Sequence, residues 1–111
     1  MLNERGIQMR LKKYAIYQLP FENEHTRDLS FMEASEIEAI SDQYEFVAII
    51  EAASLENVFL ISNSGEHESL IERVQPMHSL SVGDIVHNLE TDETFVVGSY
   101  GWWKINMKEA V

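Results

Sequence analysis

The chain has 111 residues, 45% of them apolar and 24% charged, which is enough to bury one ordinary core and argues against wholesale disorder. It has no cysteine, which removes a disulfide framework, a thiol nucleophile and a zinc–thiolate centre. The net charge of −11 makes nucleic-acid backbones and anionic lipid surfaces poor partners and a basic protein a better one.

The charge is unevenly placed. Arg5, Arg10, Lys12 and Lys13 lie at the start and Lys104 and Lys108 near the finish. From Asp28 to Glu72 there are eleven carboxylates and no lysine or arginine. The acids either keep the surface solvated or form a functional face. No apolar stretch is long enough to cross a bilayer, and the first residues lack the apolar core of a signal peptide. We therefore expect a cytoplasmic protein with a basic segment over residues 1–13 and one domain over 14–111.

Ile7, Met9 and Leu11 alternate with polar residues, and the β-rich run Tyr14–Leu19 stops at Pro20, so a first strand is predicted over 13–19. Residues 20–29 read as a loop. Ser30-Phe31-Met32-Glu33 has the form of a capping box, followed by Ala34, Ile37 and Ile40 at helical spacing. Tyr44–Glu51 is a second strand, apolar enough through Phe46–Ile50 to be central. Ser54 can cap a helix starting at Leu55, although Val58–Ile61 alone would serve as a strand. Asn63-Ser64-Gly65 breaks this element. Glu66–Val74 is then expected to be a short helix with Leu70, Ile71 and Val74 inward.

Ser81-Val82-Gly83-Asp84 is a turn entering a third strand. Gly83 supplies the backbone freedom and Asp84 folds its carboxylate onto nearby amides. Strands over 84–90 and 94–99 form a hairpin through Thr91-Asp92-Glu93. Gly98 and Gly101, three apart, mark a bend, after which Trp102–Ile105 extends or re-enters the sheet. Neighbouring residues of a strand point to opposite faces, so Trp102 and Trp103 cannot share one. The order predicts one α+β domain: a mainly antiparallel sheet of four or five strands with two or three short helices.

The sequence carries no catalytic signature: no nucleophile elbow, phosphate loop, dinucleotide fingerprint or zincin helix. His25, His67, His78 and His87 lack the spacing of metal ligands. We expect no enzyme, no cofactor and no metal.

His78–Val86, then Ser99-Tyr100-Gly101-Trp102, resembles the YodL-like family of small phage, plasmid and conjugative-element proteins, whose pattern is "hSlSvsDvv" followed by "yfVDSfGFkei". Tyr14–Leu19 and Thr26–Phe31 are similar to the family's opening "YaIYQL…tRdlrF". The likeness spans roughly 14–105, departing at Gly98–Trp103, where the family's aspartate is lost. It implies a bacterial cytoplasm, a mobile element and no established enzymatic site.

The reading of function that follows is a non-enzymatic protein that blocks a basic host protein such as a nuclease. Its most concrete form is a counter-defence inhibitor of antirestriction or anti-CRISPR type, presenting a phosphate-mimicking acidic face. The expected contacts are Glu33, Glu36, Glu38 and Asp42, with Glu66, Glu68 and Glu72, and Trp102 or Trp103 as apolar anchor. The alternative is a structural or regulatory interaction module, with a homodimer among its arrangements, that binds through its sheet and exposed tryptophan while the acids only solubilise.

Overall fold

The computed structural model describes residues 10–108. The chain forms β1 (Lys12–Gln18), α1 (Ala34–Ala39), β2 (Glu45–Ala52), α2 (Leu55–Ser64), β3 (Ile71–Arg73), β4 (Ile85–Asn88), β5 (Thr94–Gly98) and β6 (Gly101–Ile105). Short 3-10 turns at Thr26–Phe31, Ser41–Gln43 and Glu68–Leu70 connect them. The six strands among the described residues join one sheet in the order β3-β2-β1-β4-β5-β6, every pairing antiparallel. This is the expected α+β class with one strand more than the sequence reading allowed.

Strand alternation gives the sheet two apolar faces, and both are covered. On one face Tyr14, Ile16, Ala48, Ile50, Val86 and Val97 pack under Val58 and Ile61 of α2 and under Leu80. On the other, Leu19, Ile85, Val96 and Ile105 pack with Leu29, Ile37 of α1 and Tyr44. Val47 is the extra residue of a β-bulge: Tyr17 pairs with Phe46 and Ile16 with Ala48. The bulge carbonyl accepts the amides of Val74 and Gln75, which carries the chain from β3 back across the sheet.

Two expected helix features are corrected. The capping box sits three residues later than Ser30–Glu33. Glu33 is the N-cap, its side chain accepts the Glu36 amide, and the Glu36 carboxylate accepts the Glu33 amide at 2.9 Å. Ser30 instead belongs to the 3-10 turn, and Met32 is extended (φ −89°, ψ 144°), so the chain resets before the helix starts. The expected helix over 66–74 is a 3-10 turn followed by β3. Ile71, Glu72 and Arg73 pair with Ile50, Ile49 and Ala48, because the open edge of β2 offers a ladder that a one-turn helix cannot match. Leu70 and Ile71 still pack on the first core, but Val74 is exposed.

The Ser54 cap is present, its hydroxyl accepting the Asn57 amide at 3.2 Å, and Val58–Ile61 is helical. Gly65 closes α2 in the left-handed conformation (φ 72°). Lys12 and Lys13 belong to β1, and Arg10 pairs with Glu90 at 2.7 Å. The expected alternation at Ile7 and Met9, and the rest of the basic segment over 1–9, lie outside the described residues. Among the described residues no helix is long and apolar enough to cross a membrane.

Candidate functional site

The acidic residues singled out from the sequence fall into two separated groups. Glu33, Glu36, Glu38 and Asp42 lie on and just after α1, which packs beside β6. Glu66, Glu68 and Glu72 lie around β3, the opposite edge strand. Six strands at about 4.8 Å spacing put those edges on the order of 20 Å apart.

Within the first group Glu33 and Glu36 cap the helix, and Glu38 accepts the Asn106 amide at 2.9 Å, tying α1 to the end of β6. Glu33, Glu36 and Asp42 are exposed, and no lysine or arginine among the described residues forms an ion pair with them. In the second group Arg73 holds Glu68 with bonds of 2.7 and 3.2 Å, and that pairing pulls the Glu68 carboxyl below its usual range. Glu66 and Glu72 are exposed.

Gly98 and Gly101 bracket the two-residue connection Ser99-Tyr100 between β5 and β6, so the expected bend is a tight hairpin. Gly101 has φ 137°, which favours glycine, and a Cβ on Gly98 would stand 3.1 Å from the Trp103 ring. The register pairs Trp102 with Val97 and Trp103 with Val96, on opposite faces. Trp102 is half-buried against the α2-side core, while Trp103 lies on the α1 side and is 38% exposed. Tyr100 at the hairpin tip is fully exposed. Among the described residues β6 pairs only with β5, leaving its outer edge without a strand.

Asp84 does more than close a turn. It is 1% exposed, and its Oδ2 accepts from the Ser81 amide at 2.9 Å and from Gln18 Nε2 at 3.0 Å, with His78 Nδ1 3.9 Å away. Burial pushes its carboxyl up to about 6, against the Ser81, His78 and Gln18 contacts that favour the charged form. Gln18 also bonds the backbone of His78 in both directions, so one buried amide fastens the 74–81 segment to β1. The Tyr44 hydroxyl donates to the Gly83 carbonyl, and burial together with the Asp84 charge raises that phenol. The sequence shows the turn; Gln18, sixty-six residues away, carries no local signal.

A second polar group occupies the β4–β5 hairpin. His87 Nδ1 lies 2.7 Å from Thr94 Oγ1, and Nε2 lies 3.0 Å from Asp92, which has φ 64°. These residues line an open polar hollow with Tyr17 and the Lys104–Glu93 pair. The order hydroxyl, imidazole, carboxylate resembles a proton relay, but His87 and Thr94 are cross-strand partners and Thr94 is 4% exposed. The arrangement pins the hairpin rather than presenting a hydroxyl. Among the described residues no three His, Asp or Glu side chains converge as a metal site would require.

A small, mainly apolar slot of about 250 Å³ opens beside the β5–β6 hairpin, lined by Glu56, Phe59, Val97, Gly98, Gly101 and Trp102. Glu56 and Phe59 were not among the contacts expected from the sequence, where Phe59 reads as sharing one helix face with Leu55 and Val58; Val58 is buried and Phe59 is 40% exposed. No family model, no curated protein and no solved structure matches this chain.

Proposed function

We propose that this chain is a non-enzymatic binding protein that engages a basic protein partner through the β6 edge and its aromatic hairpin. The observation that carries this reading is the outer edge of β6, which no strand covers among the described residues and which is flanked by Trp103, Trp102 and Tyr100. An unpaired strand edge is a template for another chain, and half-exposed indoles beside it supply the apolar contact that dominates interface energetics. The excess of carboxylates steers a cationic partner toward the surface and raises the association rate. Action on a bacterial host factor, as an accessory protein of a mobile element, is the setting in which we place it.

A narrower reading keeps the counter-defence inhibitor, with the carboxylates standing in for nucleic-acid phosphates. What favours it is the exposure of Glu33, Glu36 and Asp42 without cationic partners among the described residues. It would rest on the α1 group alone, since Glu66, Glu68 and Glu72 lie at the other edge.

One experiment separates the two. A partner captured from a bacterial lysate at low salt is purified, and its Kd is measured for the native chain, for Trp103→Glu, and for the triple variant Glu33→Gln, Glu36→Gln, Asp42→Asn. Glutamine keeps both capping hydrogen bonds while removing charge. Edge binding predicts at least a tenfold loss for Trp103→Glu and only a slower association for the triple variant. The reverse pattern, with a steep salt dependence, supports phosphate mimicry and overturns the edge.

A further inference from the structure

We propose that the slot beside the β5–β6 hairpin is a recognition site for an arginine side chain of the partner. This rests on the reading that the partner is basic. Phe59 of α2 and Trp102 of β6 supply two aromatic side chains to the slot, and Glu56, one turn before Phe59, supplies a carboxylate. Val97 and the backbones of Gly98 and Gly101 complete the lining, and a Cβ on Gly101 would meet nothing within 4 Å. Phe59 is 40% exposed, so the slot is reached from solvent.

Two aromatic groups with one carboxylate match a planar cation. Guanidinium stacks on aromatic faces, is weakly hydrated and pairs with a carboxylate through a fork of N–H donors. A purely aliphatic guest would crowd water away from Glu56 and return no hydrogen bond. At about 250 Å³ the slot has room for one long side chain. Two cations among the described residues pair with other carboxylates: Lys104, on the same face as Trp102, reaches Glu93 at 2.9 Å, and Arg10 reaches Glu90 at 2.7 Å. An arginine bound here would stand beside the β6 edge, so a strand docking on that edge can supply it.

The probe is N-acetyl-L-arginine amide, titrated into the full chain and followed by NMR. A Trp103→Phe background leaves Trp102 as the one indole, so its Nε1–H resonance reports the slot directly. The expected result is a saturable shift, weakened about fivefold or more by Glu56→Gln and by Phe59→Leu, with N-acetyl-L-leucine amide producing a much smaller effect. An equal response to the leucine amide overturns the cation assignment. So does unchanged arginine affinity in both variants, or the absence of saturation. Arginine-amide binding lost in Phe59→Leu while the captured partner's Kd stays unchanged overturns the slot as a partner site and leaves edge binding standing. A partner indifferent to both Phe59→Leu and Trp103→Glu overturns both readings.

Discussion

Asp84 places a carboxylate where water cannot reach it, and its stability consequence has a definite sign. The folded-state value of about 6 lies above the ordinary 3.8, so the protonated form is the one the fold prefers. This group's contribution to stability is fully present below about 3.8 and is lost as pH rises through about 6. Asp84→Asn can keep an acceptor oxygen toward Ser81 and Gln18 without the charge. Urea denaturation should show the variant near the native chain at about pH 4 and more stable at about pH 7.5. A difference between the two proteins that does not change with pH would refute this account. Gly83 gives a second residue-scale test. It has φ 94°, and a Cβ there would stand 2.6 Å from the Leu29 Cβ, so Gly83→Ala combines backbone strain with overpacking and should cost roughly 2–4 kcal/mol. Gly65 has φ 72° but open space around it, so Gly65→Ala should cost only about 1–2 kcal/mol. Equal losses in thermal melts would show that contact with Leu29 does not matter.

Elements were legible where their signals were local. The run Tyr14–Leu19, the Ser54 cap, the Gly65 stop and the Gly98/Gly101 bend each depend on residues within a few positions, and each is found close to its expected place. Two elements failed for physical reasons. Ser30 and Glu33 have the right spacing for a capping box, but so do Glu33 and Glu36, and burial of Leu29 against Gly83 holds residues 26–31 in a 3-10 turn. Residues 71–73 have no strong strand pattern of their own, and pairing with β2 decides them. The candidate site divides in the same way. Strand alternation placed Trp102 and Trp103 on opposite faces, whereas the meeting of Glu56 and Phe59 with Trp102 depends on how α2 crosses the sheet. The shifted cap is testable: Glu36→Ala should lower stability by about 0.5–2 kcal/mol while Ser30→Ala leaves it within about 0.5 kcal/mol. Denaturant midpoints of the two single variants check this, and the opposite ranking would return the cap to Ser30.

For the molecule as a whole the controlling quantity is a net charge of −11 on a sheet whose two faces are both occupied by core. With both faces filled, the sheet itself offers a partner only its edges and hairpin tips, and among the described residues no strand covers the outer edge of β6. The charge also acts on the fold itself. Three Lys or Arg side chains form ion pairs among the described residues, Arg10–Glu90, Arg73–Glu68 and Lys104–Glu93, and all three pairs are solvent-facing. Exposed pairs contribute little, whereas carboxylates crowded over 28–72 repel one another in the compact state more than in an extended chain. Screening should therefore help folding more than it harms the ion pairs. Raising NaCl from about 20 mM to about 500 mM shortens the Debye length from about 20 Å to about 4 Å, below the separation of the two acidic groups. The urea midpoint of the native chain should rise across that range, and the rise should be smaller in Glu33→Gln, Glu36→Gln, Asp42→Asn, where part of the repulsion is already gone. A midpoint that falls with salt would mean that the ion pairs dominate, and would assign the excess acid to attraction within the fold instead of to capture of a partner.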